Sequence, residues 1–278
     1  MPAVGIVGAG LLGAACARRL REAGFDVRAY DVDPAKSKGV ASLEELVAAC
    51  PTLVLCVFDT AQVREVVGQI TQPRDVICCS TCDPDKLAEI AAQAEARGLH
   101  FIEMPISGSS GQVAAGQGLG FIAASSSTKK RVEKILEAIC PRRTEFEKFG
   151  DPLRAKLAIN LILGLNRAAL AEGLVLAERL GLDLPAFLEA ARGSAAYSQA
   201  MDVKGKMMTQ RAFTPAQGRV VQSLKDFRLM LDQARTKGQA LPFAALYAEM
   251  LEDCLGHEEG EWDNAAILEA IRRKTPGA

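Results

Sequence analysis

The stretch Ala3-Val4-Gly5-Ile6-Val7-Gly8-Ala9-Gly10-Leu11-Leu12-Gly13 decides how the first half of the chain folds. Its apolar opening predicts a short strand, the glycines a tight turn, and the residues from Leu11 to about Ala23 a helix that Gly24 ends. Asp26 to Tyr30 predict a second strand that closes on Asp31. Strand, glycine turn, helix, strand and acid together form the setting in which GxGxxG signals dinucleotide binding. The first glycine makes the turn, the second lets a pyrophosphate approach the backbone, and the third lets helix and strand pack closely. Phosphate charge then meets the positive end of the helix. Gly8, Ala9, Gly10, Leu11, Leu12, Gly13 and Asp31 are therefore the first cofactor-binding candidates. Asp31 can accept from a ribose 2′-hydroxyl and would repel a 2′-phosphate, which favours NAD. NADP stays possible because Lys36 and Lys38 lie close by.

Working outward, Leu53 to Phe58, Asp75 to Cys79, Leu99 to Glu103 and Leu119 to Ala124 read as buried strands with helical patterns between most of them. Such alternation predicts an α/β fold with a Rossmann-type, doubly wound parallel sheet. Ligands of such sheets sit at the carboxyl ends of the strands, here Phe58-Asp59, Ser80-Thr81 and Met104 to Gly111. From about residue 150 the pattern turns helical, with segments expected at 152 to 180, 185 to 192, 216 to 235, 243 to 255 and 263 to 273. The expected division is 1–151 for dinucleotide binding and 152–278 for an all-α domain joined by a long helix.

That helix, Pro152 to Gly181, is apolar on nearly every side, so it is expected to be buried. Lys156, Asn160, Asn166, Arg167 and Glu172 interrupt it, and on that ground no membrane span is expected. Lys156 and Asn160 lie one turn apart on one face. Two readings of Lys156 stay open: it snorkels to solvent from the helix start, or it is buried with a proton to exchange.

Composition sets outer limits. A net charge of −1 over 278 residues offers nothing to nucleic acid or an anionic membrane. Eight cysteines, mostly inside apolar segments, fit a reducing cytoplasm, and Met1-Pro2-Ala3 runs straight into the first strand without a secretory pattern. Cys79 and Cys82 form a lone CxxC, and His100 and His257 are the only histidines, so no metal site is expected.

Four separated motifs resemble those of the 3-hydroxyisobutyrate dehydrogenase family of 3-hydroxyacid dehydrogenases, over nearly the whole chain. They are the glycine loop, with Leu12 where methionine is usual; Met104 to Gln112, similar to the substrate segment; Lys156-Leu157-Ala158-Ile159-Asn160, similar to the catalytic lysine and asparagine motif; and Leu224-Lys225-Asp226-Phe227. The resemblance implies Lys156 as general acid/base with Asn160 beside it, and Ser107, Gly108 and Ser109 for the substrate carboxylate. It implies cofactor contacts from Val57, Phe58, Ser80, Thr81 and Lys225. It also implies hydride transfer between NAD(P) and a small hydroxy acid such as 3-hydroxyisobutyrate, glycerate or threonate. Separately, the long apolar helix and the small helical domain predict that a second subunit completes the burial, in a homodimer or homotetramer. Ser109 departs from the usual glycine, and Gly120-Phe121-Ile122-Ala123 from a threonine-containing strand. Lys156 weighs against the imine-reducing relatives and against a non-catalytic NAD-binding module. Tyr197, Ser198 and Phe243 are candidate pocket walls.

Overall fold

The computed structural model describes residues 3–274. Its first half runs β1 (Ala3–Val7), α1 (Leu11–Glu22), β2 (Asp26–Tyr30), α2 (Leu43–Ala49), β3 (Thr52–Leu55), α3 (Thr60–Gln69), β4 (Asp75–Cys78), α4 (Pro84–Ala96) and β5 (His100–Glu103). These five strands form one parallel sheet in the order β2-β1-β3-β4-β5. The period-two geometry of strands sorts their side chains into two cores. Val4, Ile6, Val54, Ile77 and Ile102 pack with α1 residues such as Cys16 and Leu20. Val7, Leu53, Leu55, Val76 and Phe101 pack on the other face with Leu46, Val63 and Leu87 of α2, α3 and α4. Both faces being covered, the strands read as unbroken apolar runs. Cys79 and Cys82 fall into opposite cores, so the CxxC spacing brings no thiol pair together. Helix starts are fixed locally: Ser42, Asp59 and Asp83 each accept a backbone N–H from the first turn that follows.

One strand expectation needs correcting. The segment around Leu119 does not extend the parallel sheet. After β5 come β6 (Ile106–Ser107), α5 (Ser110–Ala114), β7 (Leu119–Ile122), α6 (Ser126–Ile139) and β8 (Arg142–Glu145). β7 pairs antiparallel with β6 and parallel with β8 in a separate three-stranded sheet. The chain turns after Pro105 and takes β6 back along β7, and Ala123, just past β7, meets the end of the larger sheet's edge strand through an antiparallel bridge to Glu103. β3 also stops at Leu55, short of the expected Phe58.

The remaining elements are helices: α7 (Asp151–Arg179), α8 (Leu184–Arg192), α9 (Gln199–Thr209), α10 (Val220–Thr236), α11 (Pro242–Gly256) and α12 (Ile267–Arg273). The chain divides into two compact units after Lys156, within α7. In the second unit Leu157, Leu170, Ala171 and Leu174 of α7 pack with Leu224, Phe227, Tyr247 and Leu251. Gly164 is needed there, because a Cβ on it would lie 2.4 Å from the Phe227 ring. α10 begins at Val220 and not at the expected 216, since the buried Asp263 carboxylate takes the N–H groups of Gln217 and Gly218. The same carboxylate pairs with buried Lys204 on α9, a helix absent from the sequence expectations.

α7 also departs from expectation. An 18-residue window of it reaches mean hydropathy 1.4, so by length and composition alone it is long and apolar enough to cross a membrane, its polar residues notwithstanding. Only 22% of that window is buried. Two of the interrupting polar residues have partners inside the second unit: Arg167 donates to the Tyr247 hydroxyl at 2.7 Å and Asn160 to Asp226.

Candidate active site

At the end of β1 the chain turns through Gly8 at φ +88°, a conformation that side chains disfavour. The Gly8 N–H donates to Tyr30 O, and a Cβ there would meet the Cys56 carbonyl at 2.6 Å. Gly13, one turn into α1, approaches more closely still, since its Cβ would lie 1.9 Å from Gly8 O. Between them Gly10 precedes the first turn of α1 with no side-chain cap, and nothing lies within 4 Å of where its Cβ would be. The outer glycines permit contact within the protein, while the middle one leaves open space beside free helix-start N–H groups. A pyrophosphate fits that description. Leu11 and Leu12 open α1, and Leu12 packs inward on the core.

Asp31 follows β2. Its Oδ2 accepts from Ala9 N–H at 2.7 Å and its Oδ1 from Asp33 N–H at 2.9 Å, which ties the acid to the glycine turn. Each oxygen keeps a further acceptor position for a ribose hydroxyl. Lys36, a possible counter-charge for a 2′-phosphate, is paired with Asp33 at 3.0 Å.

Because the strands are parallel, all five carboxyl ends lie on one edge. Along it stand Asp31 after β2, Gly8 after β1, Val57 and Phe58 after β3, Ser80 and Thr81 after β4, and Met104 after β5. Strands lie ~4.8 Å apart, so β1 to β5 spans roughly 14 Å along that edge. Ser80 and Thr81 are buried, and the Ser80 hydroxyl donates to Leu55 O at 3.4 Å. Phe58 is exposed at 40%, with its N–H held by the Gln62 side chain.

Beyond β5 the chain enters Ile106-Ser107-Gly108-Ser109. Gly108 sits at φ +134° and redirects it from β6 into α5. Ser109 caps α5: its hydroxyl accepts from Gln112 N–H, and its own N–H donates to Gln112 Oε1 at 2.8 Å. Its amide is committed to the capping box, and only the O–H proton is left to give. The Ser-x-x-Gln spacing carries that signal in the sequence.

Lys156 is 6% exposed, and its Nζ donates to the Ile106 carbonyl at 2.6 Å. Of the two readings open for this residue, snorkelling to solvent is excluded. Its bonding partner, Ile106, directly precedes Ser107. Sequence reasoning missed Glu103, the last residue of β5. It is fully buried, its carboxylate accepts the N–H groups of Gly150 and Leu153, and burial pushes its carboxyl up to about 7.

Within the second unit, Asn160 Nδ2 donates to Asp226 Oδ2 at 3.4 Å, and Asp226 Oδ1 lies 2.9 Å from Lys225 Nζ. Asn160 of one motif and Lys225-Asp226 of another thus form one polar cluster. Tyr197 is half-exposed and bonds to Asp202, and Phe243 is 73% exposed.

Comparison with known proteins agrees with both halves. Residues 3–146 match the family model of the NAD binding domain of 6-phosphogluconate dehydrogenase, and residues 150–271 that of the NAD-binding of NADP-dependent 3-hydroxyisobutyrate dehydrogenase. The chain is 26% identical to 2-hydroxy-3-oxopropionate reductase of Escherichia coli K12, over 96% of each chain. It is 28% identical to L-threonate dehydrogenase of Cupriavidus necator, over 95% of this chain and 94% of the relative. The crystal structure of a 3-hydroxyisobutyrate dehydrogenase from Salmonella typhimurium superposes with a TM-score of 0.87 at 26% identity, covering 97% of this chain and 99% of the other.

Proposed function

Since this chain belongs to the 3-hydroxyisobutyrate dehydrogenase-related family of 3-hydroxyacid dehydrogenases, we propose that it moves hydride between a nicotinamide dinucleotide and the hydroxyl carbon of a small 3-hydroxy acid. The observation that carries this reading is the buried Lys156 amine, held 2.6 Å from the Ile106 carbonyl beside Ser107 and Gly108. The bound nicotinamide supplies the hydride acceptor; proton transfer and orientation fall to side chains. In the oxidative direction neutral Lys156 takes the hydroxyl proton as the alcohol becomes a carbonyl. In reduction the ammonium returns it and stabilises alkoxide charge. The Ser107 hydroxyl and Gly108 N–H receive the substrate carboxylate, with the Ser109 hydroxyl as a further donor.

The order of groups along the sheet edge supports this assignment. An acid for the ribose, a glycine turn for the pyrophosphate, the Val57-Phe58 and Ser80-Thr81 ends, and then the lysine's anchor follow in the order a bound dinucleotide needs. NAD is the preferred form, because Asp31 repels a 2′-phosphate and Lys36 is already paired with Asp33. Both relatives named above act, by their names, on short polyfunctional acids, and this chain's substrate is of that kind.

The test is a screen of NAD and NADP reduction, followed at the nicotinamide absorbance band, over 3-hydroxyisobutyrate, glycerate and threonate. Turnover of at least one acid, faster with NAD, is expected. Tight NADH binding with no turnover of any acid in either direction would leave a dinucleotide-binding module instead.

A further inference from the structure

The opening turn of α7 has no cap of its own. Gly150, the residue before it, carries no side chain; Pro152 carries no N–H; and the Asp151 N–H goes to Lys148 O. An N-cap side chain would ordinarily take the N–H of the third helical residue, here Leu153. That N–H donates instead to Glu103 Oε1 at 3.0 Å, and the Gly150 N–H to Glu103 Oε2 at 2.6 Å. A carboxylate from the end of β5 thus does, across 47 and 50 residues, what a neighbouring serine or aspartate does at α2, α3 and α4. Three residues after Leu153 comes Lys156, and three residues after Glu103 comes Ile106, whose carbonyl holds the lysine amine. Two bonds therefore clamp one turn of helix against residues 103–106, one at the backbone and one at the amine.

Resting on the assignment of Lys156 as acid/base, we propose that Glu103 is a positioning residue for it: the carboxylate fixes the first turn of α7 so that Nζ stays on the Ile106 carbonyl beside Ser107. Accepting two N–H groups at once requires the carboxylate. A protonated carboxyl keeps one good acceptor oxygen and loses the other bond. Burial pushes this carboxyl up to about 7, and the groups facing it are Arg154 and Asp151 of α7 and the Cys78 thiol of β4. The clamp accordingly tightens as pH rises through neutrality and slackens below it.

The experiment compares the full-length protein with Glu103→Gln, which keeps shape and one acceptor, and Glu103→Asp, with folding of each checked by thermal unfolding. Competitive acetylation of lysines, read by mass spectrometry, reports Lys156 independently of any substrate. Lys156 should label faster in Glu103→Gln while Lys86 and Lys134 keep their rates. With substrate, kcat should fall by about 10- to 100-fold with KM little changed, as for a misplaced catalytic group. The acidic limb of the kcat–pH profile near neutrality should disappear. Unchanged Lys156 labelling together with a wild-type pH limb in Glu103→Gln would overturn the proposal, reducing Glu103 to a structural cap. A labelling change in a protein that turns over no hydroxy acid would leave the clamp standing and remove the enzymatic reading.

Discussion

Lys156 Nζ and the main-chain oxygen of Ile106 lie 2.6 Å apart, the amine being almost fully buried. A lysine is seldom buried without a partner or a task. Here one partner is the carbonyl of Ile106, the residue before Ser107. The bond aims the amine at the segment proposed to hold the substrate carboxylate.

The glycine turn separates two kinds of failure. Gly13→Ala would force a Cβ to 1.9 Å from Gly8 O, so the protein itself should be destabilised by about 1–3 kcal/mol. Gly10→Ala meets nothing within 4 Å and should stay within about 1 kcal/mol of the parent. Its NADH affinity, however, should fall about tenfold or more, or ~1.4 kcal/mol. Thermal unfolding and titration calorimetry of both variants check this. A Gly10→Ala protein that binds NADH normally would move the pyrophosphate elsewhere.

Asp31 sets the cofactor preference by charge while its oxygens hold Ala9 and Asp33. Asp31→Asn removes the charge and keeps one acceptor. The ratio of kcat/KM for NAD over NADP should drop about tenfold, worth ~1.4 kcal/mol. Measured on both cofactors, an unchanged ratio would exonerate Asp31.

Glu103 gives stability a definite pH slope. Its folded-state carboxyl is raised from 4.5 to about 7, chiefly by burial and against the pull of the Gly150 and Leu153 N–H groups. Its contribution is therefore full below the unfolded value and is lost as pH rises through about 7, on the order of 3 kcal/mol. Glu103→Gln should lack this part of the slope. Urea unfolding of both proteins at about pH 5 and about pH 8 reads it directly, and parallel slopes would contradict it.

Two large apolar residues of α7 stand exposed. Ile162 is 60% exposed and Leu176, fourteen residues on and so on the same side, is 59% exposed. We expect a second copy of the chain to cover them in a homodimer or homotetramer. Light scattering should give a multiple of 29.6 kDa for the parent and a weaker assembly for Ile162→Lys with Leu176→Lys. A parent that is monomeric at assay concentration would refute this.

Much of this was legible in the chain because the responsible forces are local. Glycines between a short apolar run and a helix, apolar strands covered on both faces, and a lysine at helical spacing among leucines all announce themselves within a few residues. What escaped depends on distant partners or weak patterns. β8, Arg-Arg-Thr-Glu, has no apolar alternation and exists because β7 offers it an edge. α9 contains Gly205, whose cost is offset where Leu188 packs within 2.7 Å of its missing Cβ, and Lys204, which needs Asp263 fifty-nine residues away. Glu103 looked like the end of a strand, since nothing nearby shows that α7 lacks a cap. Ser109 stood out as a departure from a glycine, while the Ser-x-x-Gln spacing that commits it to Gln112 went unread.

The most direct test of the central claim is single-turnover hydride transfer by Lys156→Ala with a hydroxy acid that the parent oxidises, alongside its NADH dissociation constant. Loss of the positioned proton acceptor should slow transfer by roughly 10²–10⁴ while NADH binding stays within about twofold. Transfer at the parental rate would show that the buried amine is not the acid/base.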